Sequence, residues 1–284
     1  MPPFTLDFPE SIRRDFPEEF ALASCASEKV IAAIEGHEFS SLELHSPGLK
    51  GADWASYVTL SAIRMVRSLR LLRNRVKPGA KVLDFGSYFG NFSMMLADAG
   101  YKVTALDSYD QYGPCFSGVK SLLENSGVTL VNDLDAEDAS TRLADFDVVL
   151  LMGVIEHVPH TPRFLLERIR SLLSPNGLLI LDTPNHAYLY NRQKLARGES
   201  VFPSIQAQYR TEIPFAGHHR EYTASELDWM LETAGFSVLD FEAFNFSLYA
   251  LSEIVGTDLE NYRLMEEDPS ARELLMYCAG RTES

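Results

Sequence analysis

One segment constrains the fold more than any other: an apolar run that contains an acid and leads into two spaced glycines. It reads VLDFGSYFG (82–90), and a second run, VTALD (103–107), also ends in an acid. Short β-rich runs that alternate with glycine turns and helical stretches are typical of a parallel α/β sheet. Such sheets bind ligands at the carboxyl ends of their strands. The segment therefore predicts half of a doubly wound unit with a ligand site at 86–90.

The glycine spacing and the position of the acid indicate which ligand fits. A dinucleotide loop has the pattern G-x-G-x-x-G, in which bare backbone and a helix N-terminus meet a pyrophosphate. Here the spacing is G-x-x-x-G, Tyr88 stands between the glycines, and the charge of Asp84 would repel phosphate. S-adenosylmethionine has an ammonium, a sulfonium and a ribose diol but no phosphate, and a carboxylate such as Asp107 can accept from that diol. The loop therefore favours S-adenosylmethionine over a nicotinamide dinucleotide.

Two later motifs complete a family pattern, FDVVLLMGVIEHVP (146–159) and LLSPNGLLILDTPN (172–185). With the glycine loop and Asp107, they make residues 81–240 resemble a class I S-adenosylmethionine-dependent methyltransferase of the small-molecule branch, similar to ubiquinone-type and glycan or natural-product O-methyltransferases. The resemblance implies an α/β, Rossmann-like, seven-stranded mixed sheet of strand order 3-2-1-4-5-7-6, flanked by helices, whose last strand is antiparallel. It also implies transfer of a methyl group to a small-molecule acceptor, with S-adenosylhomocysteine as the product.

Net charge, cysteine content and the lengths of the apolar runs limit the classes of partner and the compartment that we expect. The formal net charge of -15 opposes polyphosphate backbones, so we expect no nucleic-acid partner. The three cysteines, Cys25, Cys115 and Cys278, are odd in number and far apart, as in a reduced cytoplasmic protein. The sequence has neither a basic region followed by an apolar leader nor a run of about 18 apolar residues, so we expect no secretion and no membrane partner. The oligomeric state is left as monomer or homodimer.

The chain divides into an N-terminal helical extension or lid, 1–78, and a cofactor-binding core, 79–284, with a substrate-cap insertion at 185–222. We expect strands near 81–85, 102–106, 128–132, 147–152, 178–182, 236–244 and 273–279. Thr161-Pro162 predicts the start of the helix after the fourth strand, which we expect to stop near Gly177. Thr223-Ala224-Ser225-Glu226 is a capping box, and that helix should end at Ala234-Gly235. The cap spans roughly 38 residues where such connections usually have two to six.

The extension contains an amphipathic helix with a basic edge. Apolar residues recur at helical spacing, and arginines recur every third residue: Val58, Ala62, Met65, Val66, Leu69 and Leu72 against Arg64, Arg67, Arg70 and Arg73. We favour a solvated face that pairs with the protein's own acids over docking to an acidic partner or carrier. The preceding stretch, 46–54, reads as a loop. Trp54 and Tyr57 either line the substrate pocket or pack the helix onto the core.

The resemblance assigns residues to the cofactor. The predicted cofactor-binding residues are Asp84, Gly86, Ser87, Tyr88, Gly90, Asn91, Asp107, Ser108, Asp133, Leu134, Asp135, Met152 and Gly153. Asp107 is expected at the ribose, residues 133–135 at the adenine, and 152–153 near the methionine moiety. Asp84 is expected to orient the loop, or the ammonium through water. The structural alternatives are turn and packing roles for the two glycines and a helix cap for Asp107.

Acid–base candidates cluster on the loops after the strands. Transfer to a hydroxyl needs a proton acceptor, and histidine is suited to that role near neutral pH. We predict Glu156, His157 and His219 as catalytic. The predicted substrate residues are Trp54, Tyr57, His186, Tyr188, His218, Arg220 and Tyr222. Each histidine is alternatively structural, each tyrosine alternatively packs, and Arg220 alternatively pairs with Glu221 or another nearby acid.

The Glu156-His157 pair resembles that of ubiquinone-type O-methyltransferases, where a metal is implicated together with an upstream glutamate. Here Gly153 stands at that upstream position, and hard cations such as magnesium require several oxygen ligands. We therefore predict no required metal. An N-methyltransferase, a noncatalytic cofactor-binding or scaffold protein of the same fold, and a Rossmann-type dehydrogenase are the alternatives, and the glycine spacing and Asp84 count against the last.

Overall fold

The computed structural model describes residues 10–37, 51–112, 116–132, 143–159, 161–210, 217–246 and 259–282. Several predictions fall outside these ranges. They concern the adenine-side residues Asp133, Leu134 and Asp135, the thiol of Cys115 and the first part of the predicted loop at 46–54. No helix in the described ranges is both long enough and apolar enough to cross a membrane.

A seven-stranded sheet forms the centre of the described structure. Its strands are β1 (Lys81–Phe85), β2 (Lys102–Asp107), β3 (Thr129–Asn132), β4 (Phe146–Met152), β5 (Leu173–Pro184), β6 (Phe236–Phe244) and β7 (Leu274–Arg281). The order across the sheet is β3-β2-β1-β4-β5-β7-β6. β7 is antiparallel to both β5 and β6, and the other pairs are parallel. The predicted fold class and strand order are confirmed.

Helices flank the sheet, and two of them begin at the capping residues that the sequence predicts. They are α1 (Glu10–Asp15), α2 (Pro17–Ile34), α3 (Gly51–Arg73), α4 (Asn91–Asp98), α5 (Ser117–Asn125), α6 (Pro162–Leu172), α7 (Leu189–Ala196), α8 (Ile205–Arg210), α9 (Ala224–Thr233) and α10 (Leu259–Glu267). The Thr161 side chain caps α6 ahead of a proline in its first turn. Thr223 and Glu226 form the predicted capping box of α9.

Alternate strand residues bury into two hydrophobic clusters, one on each face of the sheet. Val82 and Val148 belong to the cluster that α2 and α3 share, whereas Leu83 and Val149 belong to the cluster with α6 and α9. This division follows from the two-residue period of a strand. Phe89 of the glycine loop belongs to the same cluster as the buried residues of α3. That residues 1–78 act as a lid stays a prediction.

Two local predictions are wrong. α6 ends at Leu172 and not near Gly177, because Leu173 already pairs with Phe146 in β5. The stretch around Pro175 lies inside β5, where the pairing with β4 is irregular before Leu178 pairs with Val148. Trp54 lies in α3 and not in a loop, and its partly buried side chain packs against the core.

Candidate functional site

The loop from Gly86 to Gly90 joins β1 to α4 and is fastened to the end of β2. Gly86 N donates to Leu106 O at 2.8 Å, and Gly90 N donates to Ser87 O at 2.7 Å. The two glycines have φ values of 76° and 70°, which other residues rarely adopt. A Cβ would come within 2.6 Å of Val154 Cγ2 at Gly86 and within 2.5 Å of the Leu123 side chain at Gly90. Conformation and packing therefore both require glycine here.

Tyr88 is held in a left-handed conformation between these glycines. Its φ is 49°, an uncommon value for a side chain of this size. Its N–H donates to Asp107 Oδ2 at 2.6 Å, and its ring packs 4.1 Å from Phe89 and 5.7 Å from Trp54, centroid to centroid. Strain of this kind persists where surrounding groups over-determine the backbone, typically at ligand sites.

Asp107 ends β2 and is almost completely buried, with 4% of its surface exposed. Besides Tyr88 N, its carboxylate accepts from Ser108 N at 2.7 Å and Tyr112 Oη at 2.8 Å. Burial raises the pKa of Asp107, although the three hydrogen bonds oppose the rise. The residue predicted to bind ribose is therefore also the group that fastens the glycine loop to β2.

Asp84 lies in β1 and faces α4. It accepts a hydrogen bond from Ser93 Oγ at 2.6 Å. Burial raises the pKa of Asp84 to about 6, with the Ser93 bond opposing the rise. Asp84 and Ser93 thus join the strand before the loop to the helix after it.

Glu156 lies in a short 3₁₀ turn after β4, Ile155–His157, and is also buried. One carboxylate oxygen accepts from Thr183 Oγ1 of β5 at 3.0 Å. Its backbone oxygen accepts from His219 N at 2.7 Å, which ties the end of the cap to this turn. Burial raises the pKa of Glu156 to about 7, although the charges of His218 and Arg64 oppose the rise.

Two histidines meet beside Glu156. The rings of His157 and His218 lie 4.7 Å apart in an edge-to-face arrangement. His218 Nδ1 lies 2.9 Å from Glu221 Oε1. Burial alone would lower the pKa of His218, but the Glu221 hydrogen bond and the charge of Glu156 outweigh it, and the net effect raises that pKa. The structure thus groups His218, predicted as a substrate residue, with the predicted catalytic pair 156–157.

A buried ion pair between α3 of the N-terminal extension and β5 lies beside this cluster. Arg64 of α3 donates from Nε and Nη2 to the two carboxylate oxygens of Asp182 in β5, at 2.7 and 2.5 Å. The exposed fractions of the two side chains are 6% and 0%. A Cβ on Gly153 would lie 2.8 Å from Arg64 Nη2. The guanidinium therefore fills the space at Gly153.

The other arginines of the predicted basic edge bind nearby groups. Arg67 pairs with Glu242, Arg73 pairs with Glu19 at 2.6 Å, and Arg70 lies over the Phe16 ring. Arg67 and Arg73 thus pair with the protein's own acids, as the sequence predicts. Arg64 differs from the predicted solvated face because its side chain is buried.

The magnesium site that the ubiquinone-type resemblance implies does not fit these residues. Ligand atoms of Glu156, His157 and His218 lie within 4.8 Å of one another. Two of the three are imidazole nitrogens, and a guanidinium lies beside Gly153, where the resemblance places a further oxygen ligand. Magnesium prefers oxygen ligands in a near-octahedral set, so these residues do not form the magnesium site that the resemblance implies.

The remaining predicted substrate residues contact groups other than Glu156, His157 and His218. The His186 ring lies 6.2 Å from Phe202. Tyr188 packs beside a small cluster with α10, and Tyr222 is buried in the cluster under α6 and α9. Arg220 is 62% exposed and pairs with Glu226 at 2.5 Å. Tyr57 is exposed, with its ring 5.9 Å from Trp54.

A cavity of about 1030 Å³ lies between α6 and α9 and does not include either histidine of the cluster. Leu166, Trp229 and Met230 line it, and Arg220 and Tyr222 are the predicted site residues that reach it. The geometry at the strand ends identifies the candidate site better than cavity size does, because ligands of such sheets bind at those ends.

Three charged residues of this site are not among the residues predicted from the sequence. Asp182 carries the same signal as Asp107, an acid directly after an apolar strand run. Glu221 lies three residues after His218, within the histidine-rich segment already identified. Arg64 has no such signal, because helical periodicity placed it on a basic edge and its partner lies 118 residues away.

The chain is similar to known proteins over much of its length. A family model described as a methyltransferase domain matches residues 61–240, more than half of the chain. The ubiquinone biosynthesis O-methyltransferase of Xanthomonas axonopodis pv. citri is 38% identical over 192 residues, 64% of this chain and 72% of that protein. The enzyme of the same name from Haemophilus ducreyi is 35% identical over 113 residues, 38% of this chain and less than half, 46%, of that protein.

A solved structure shares the fold. Magnesium protoporphyrin IX methyltransferase from Synechocystis PCC 6803, crystallised with bound S-adenosylhomocysteine, is 16% identical with a TM-score of 0.51, covering 84% of this chain and 91% of that one. The sheet order, the strand-end acids, the glycine loop and the matched family model lead to one conclusion: the chain belongs to the class I S-adenosylmethionine-dependent methyltransferases.

Proposed function

We propose that this methyltransferase acts on a hydroxyl oxygen of a small molecule, such as a sugar, a quinol or another secondary metabolite. The observation that carries the proposal is that His218 of the cap meets Glu156 and His157 in the turn that follows Met152-Gly153 at the end of β4. A hydroxyl must lose its proton as it is methylated, and a positioned histidine can accept it. The relatives named above are O-methyltransferases, which supports the same chemistry.

The residues around the glycine loop suit S-adenosylmethionine. The loop sequence GSYFG has no basic side chain to pair with a phosphate, and two buried acids flank it. In this proposal Asp107 and Ser108 hold the ribose, and the 86–91 loop with Met152-Gly153 holds the methionine moiety. Asp84 supports the loop through Ser93. The acids 133 and 135, with Leu134, remain the candidates for the adenine side.

The cofactor, when bound, supplies an electrophilic methyl group on its sulfonium. In the proposed mechanism His218 Nδ1–H donates to Glu221, which leaves Nε2 to accept the proton of the acceptor hydroxyl. Buried Glu156 stabilises the imidazolium that forms, because its charge favours protonation of His218. His157 contacts the His218 ring and restricts its rotation. Trp54 and Tyr57 cover the adjoining loop through their contacts with Tyr88. His219 stays a predicted catalytic residue.

Charge and composition support the rest of the proposal. A net charge of -15 disfavours nucleic acid and anionic lipid surfaces as partners. We propose a cytoplasmic enzyme, monomeric or homodimeric, that acts on a small diffusible acceptor.

The test is methyl transfer from S-adenosylmethionine labelled with carbon-13 in its methyl group, offered to a panel of phenols, quinols, sugars and amines. We expect label on oxygen, identified by the carbon-13 shift of the product, with undiminished turnover in excess chelator. Label on nitrogen alone would show that the protein is an N-methyltransferase and would contradict the proposed O-methylation. Cofactor binding with no transfer to any acceptor would favour a noncatalytic protein. Loss of turnover that magnesium or zinc restores would assign the Glu156 cluster to a metal.

A further inference from the structure

Two tyrosines of one short turn direct their hydroxyl groups at the cofactor loop. Tyr109 and Tyr112 begin and end a 3₁₀ turn after β2, and residues three apart in such a helix lie on the same side. Tyr109 Oη lies 2.5 Å from Ser87 Oγ. Tyr112 Oη donates to Asp107 Oδ1 at 2.8 Å. Each tyrosine thus contacts a residue that the cofactor assignment uses.

The acceptor capacity of Asp107 is nearly exhausted. A carboxylate offers about four lone-pair positions to donors. Three are taken by described residues: Oδ1 accepts from Ser108 N and Tyr112 Oη, and Oδ2 accepts from Tyr88 N. A ribose diol has two hydroxyl donors. Both cannot bind this carboxylate unless one protein donor leaves.

Tyr112 is the donor that can leave. Ser108 N belongs to the next residue of the chain, and Tyr88 N belongs to a loop fixed by glycine packing and by bonds to Leu106. The Tyr112 hydroxyl is at the tip of a side chain in a turn of four residues. Its ring packs against Phe116, at 4.9 Å between centroids, and Tyr88, at 5.7 Å. Of the three donors to Asp107, only Tyr112 donates from a side chain, which can change rotamer, whereas a backbone N–H moves only with its chain segment.

We propose that the Tyr112 hydroxyl occupies the ribose site of Asp107 in the cofactor-free enzyme and is displaced when the cofactor binds. Tyr112 is then an affinity-determining residue: its bond to a buried carboxylate stabilises the free form and must be given up on binding. The contact keeps Asp107 satisfied between turnovers, and it competes equally with the cofactor and with the demethylated product. This proposal rests on the proposed binding of the cofactor ribose by Asp107. It does not depend on which acceptor is methylated or on which histidine is the base.

The test is calorimetric titration of Tyr112→Phe with S-adenosylhomocysteine. We expect binding about tenfold tighter than in the wild type, because one charge-assisted hydrogen bond no longer competes. The thermal midpoint of the free variant should fall, and its increase on adding S-adenosylhomocysteine should exceed that of the wild type. In the Asp107→Asn background, Tyr112→Phe should give no gain in affinity.

Tyr109→Phe is the matched control, since it removes the other hydroxyl of the same turn without freeing Asp107. It should leave affinity unchanged or lower it. Weaker or equal binding by Tyr112→Phe would overturn the proposal, as would an equal gain from Tyr109→Phe. Carbon-13 NMR with ring-labelled tyrosine gives a second check. The Tyr112 signal of the wild type, assigned by its absence from the spectrum of Tyr112→Phe, should move when S-adenosylhomocysteine binds, and an unmoved signal would contradict displacement.

Discussion

Replacing Arg64 by methionine is expected to lower the free energy of unfolding by about 3–5 kcal/mol. The reason is the position of Asp182, which has no exposed side-chain surface and receives two hydrogen bonds from Arg64. Removing the guanidinium leaves that carboxylate buried without its partner. Arg64 also lies over the rings of Phe92 and Phe246, at 5.6 and 5.9 Å, and methionine preserves part of that packing. The loss should therefore come mainly from the uncompensated charge.

Denaturant unfolding measures this loss against two controls. Arg75→Met breaks the Arg75–Asp240 pair, whose side chains are 37% and 39% exposed, and should lower stability by less than about 1 kcal/mol. The double variant Arg64→Met with Asp182→Leu removes both charges and should recover much of the loss. If Arg64→Met were no more destabilising than Arg75→Met, the ion pair would not hold α3 to the sheet.

Replacing His218 by alanine is expected to reduce kcat by about 10²- to 10⁴-fold, the usual contribution of a general base. Affinity for S-adenosylhomocysteine should stay unchanged, because the glycine loop and Asp107 are untouched. His157→Ala and His219→Ala are measured alongside, with a smaller loss expected for each. A full loss in His219→Ala and none in His218→Ala would make His219, one of the residues predicted as catalytic from the sequence, the base.

The pH profile separates a base from a structural residue. Neutral imidazole accepts the proton, so kcat should rise with pH as His218 deprotonates. Because the net effect of its surroundings raises the pKa of His218, the rise should lie above the ordinary value of 6.5. Glu221→Gln removes a raising influence and should move the rise to lower pH, with a reduced plateau. A profile that Glu221→Gln leaves unshifted would contradict the role of this pair.

Most of the fold is predictable because it depends on local patterns. Apolar runs mark the strands, and Thr161 and Thr223 mark two helix starts that the structure confirms. The end of α6 is less predictable, since Leu173 leaves the helix to pair with Phe146, a partner distant in sequence. The composition of residues 46–54 predicts a loop that includes Trp54, although the helix already begins at Gly51.

The site is predictable to the extent that strand ends define it. Asp84 lies in β1, Asp107 ends β2 and Gly153 directly follows β4, as the motifs predict, whereas their contacts with the cofactor stay a prediction. Tertiary contacts decide the rest: His218 joins His157 only because the cap returns to the turn after β4 and bonds to Glu156 O. Tyr112 reaches Asp107 through a turn that has no strong sequence signal. Side chains from separate segments meet by packing, which a one-dimensional pattern does not encode.

The most direct test of the central claim, that the 86–90 loop and Asp107 form an S-adenosylmethionine pocket, is calorimetric titration with S-adenosylhomocysteine, with NADH and NADPH run alongside. We expect S-adenosylhomocysteine alone to bind, with micromolar affinity, and we expect Asp107→Asn to weaken that binding strongly. Binding of a nicotinamide dinucleotide instead, or S-adenosylhomocysteine binding that Asp107→Asn leaves unchanged, would contradict the assignment of the loop.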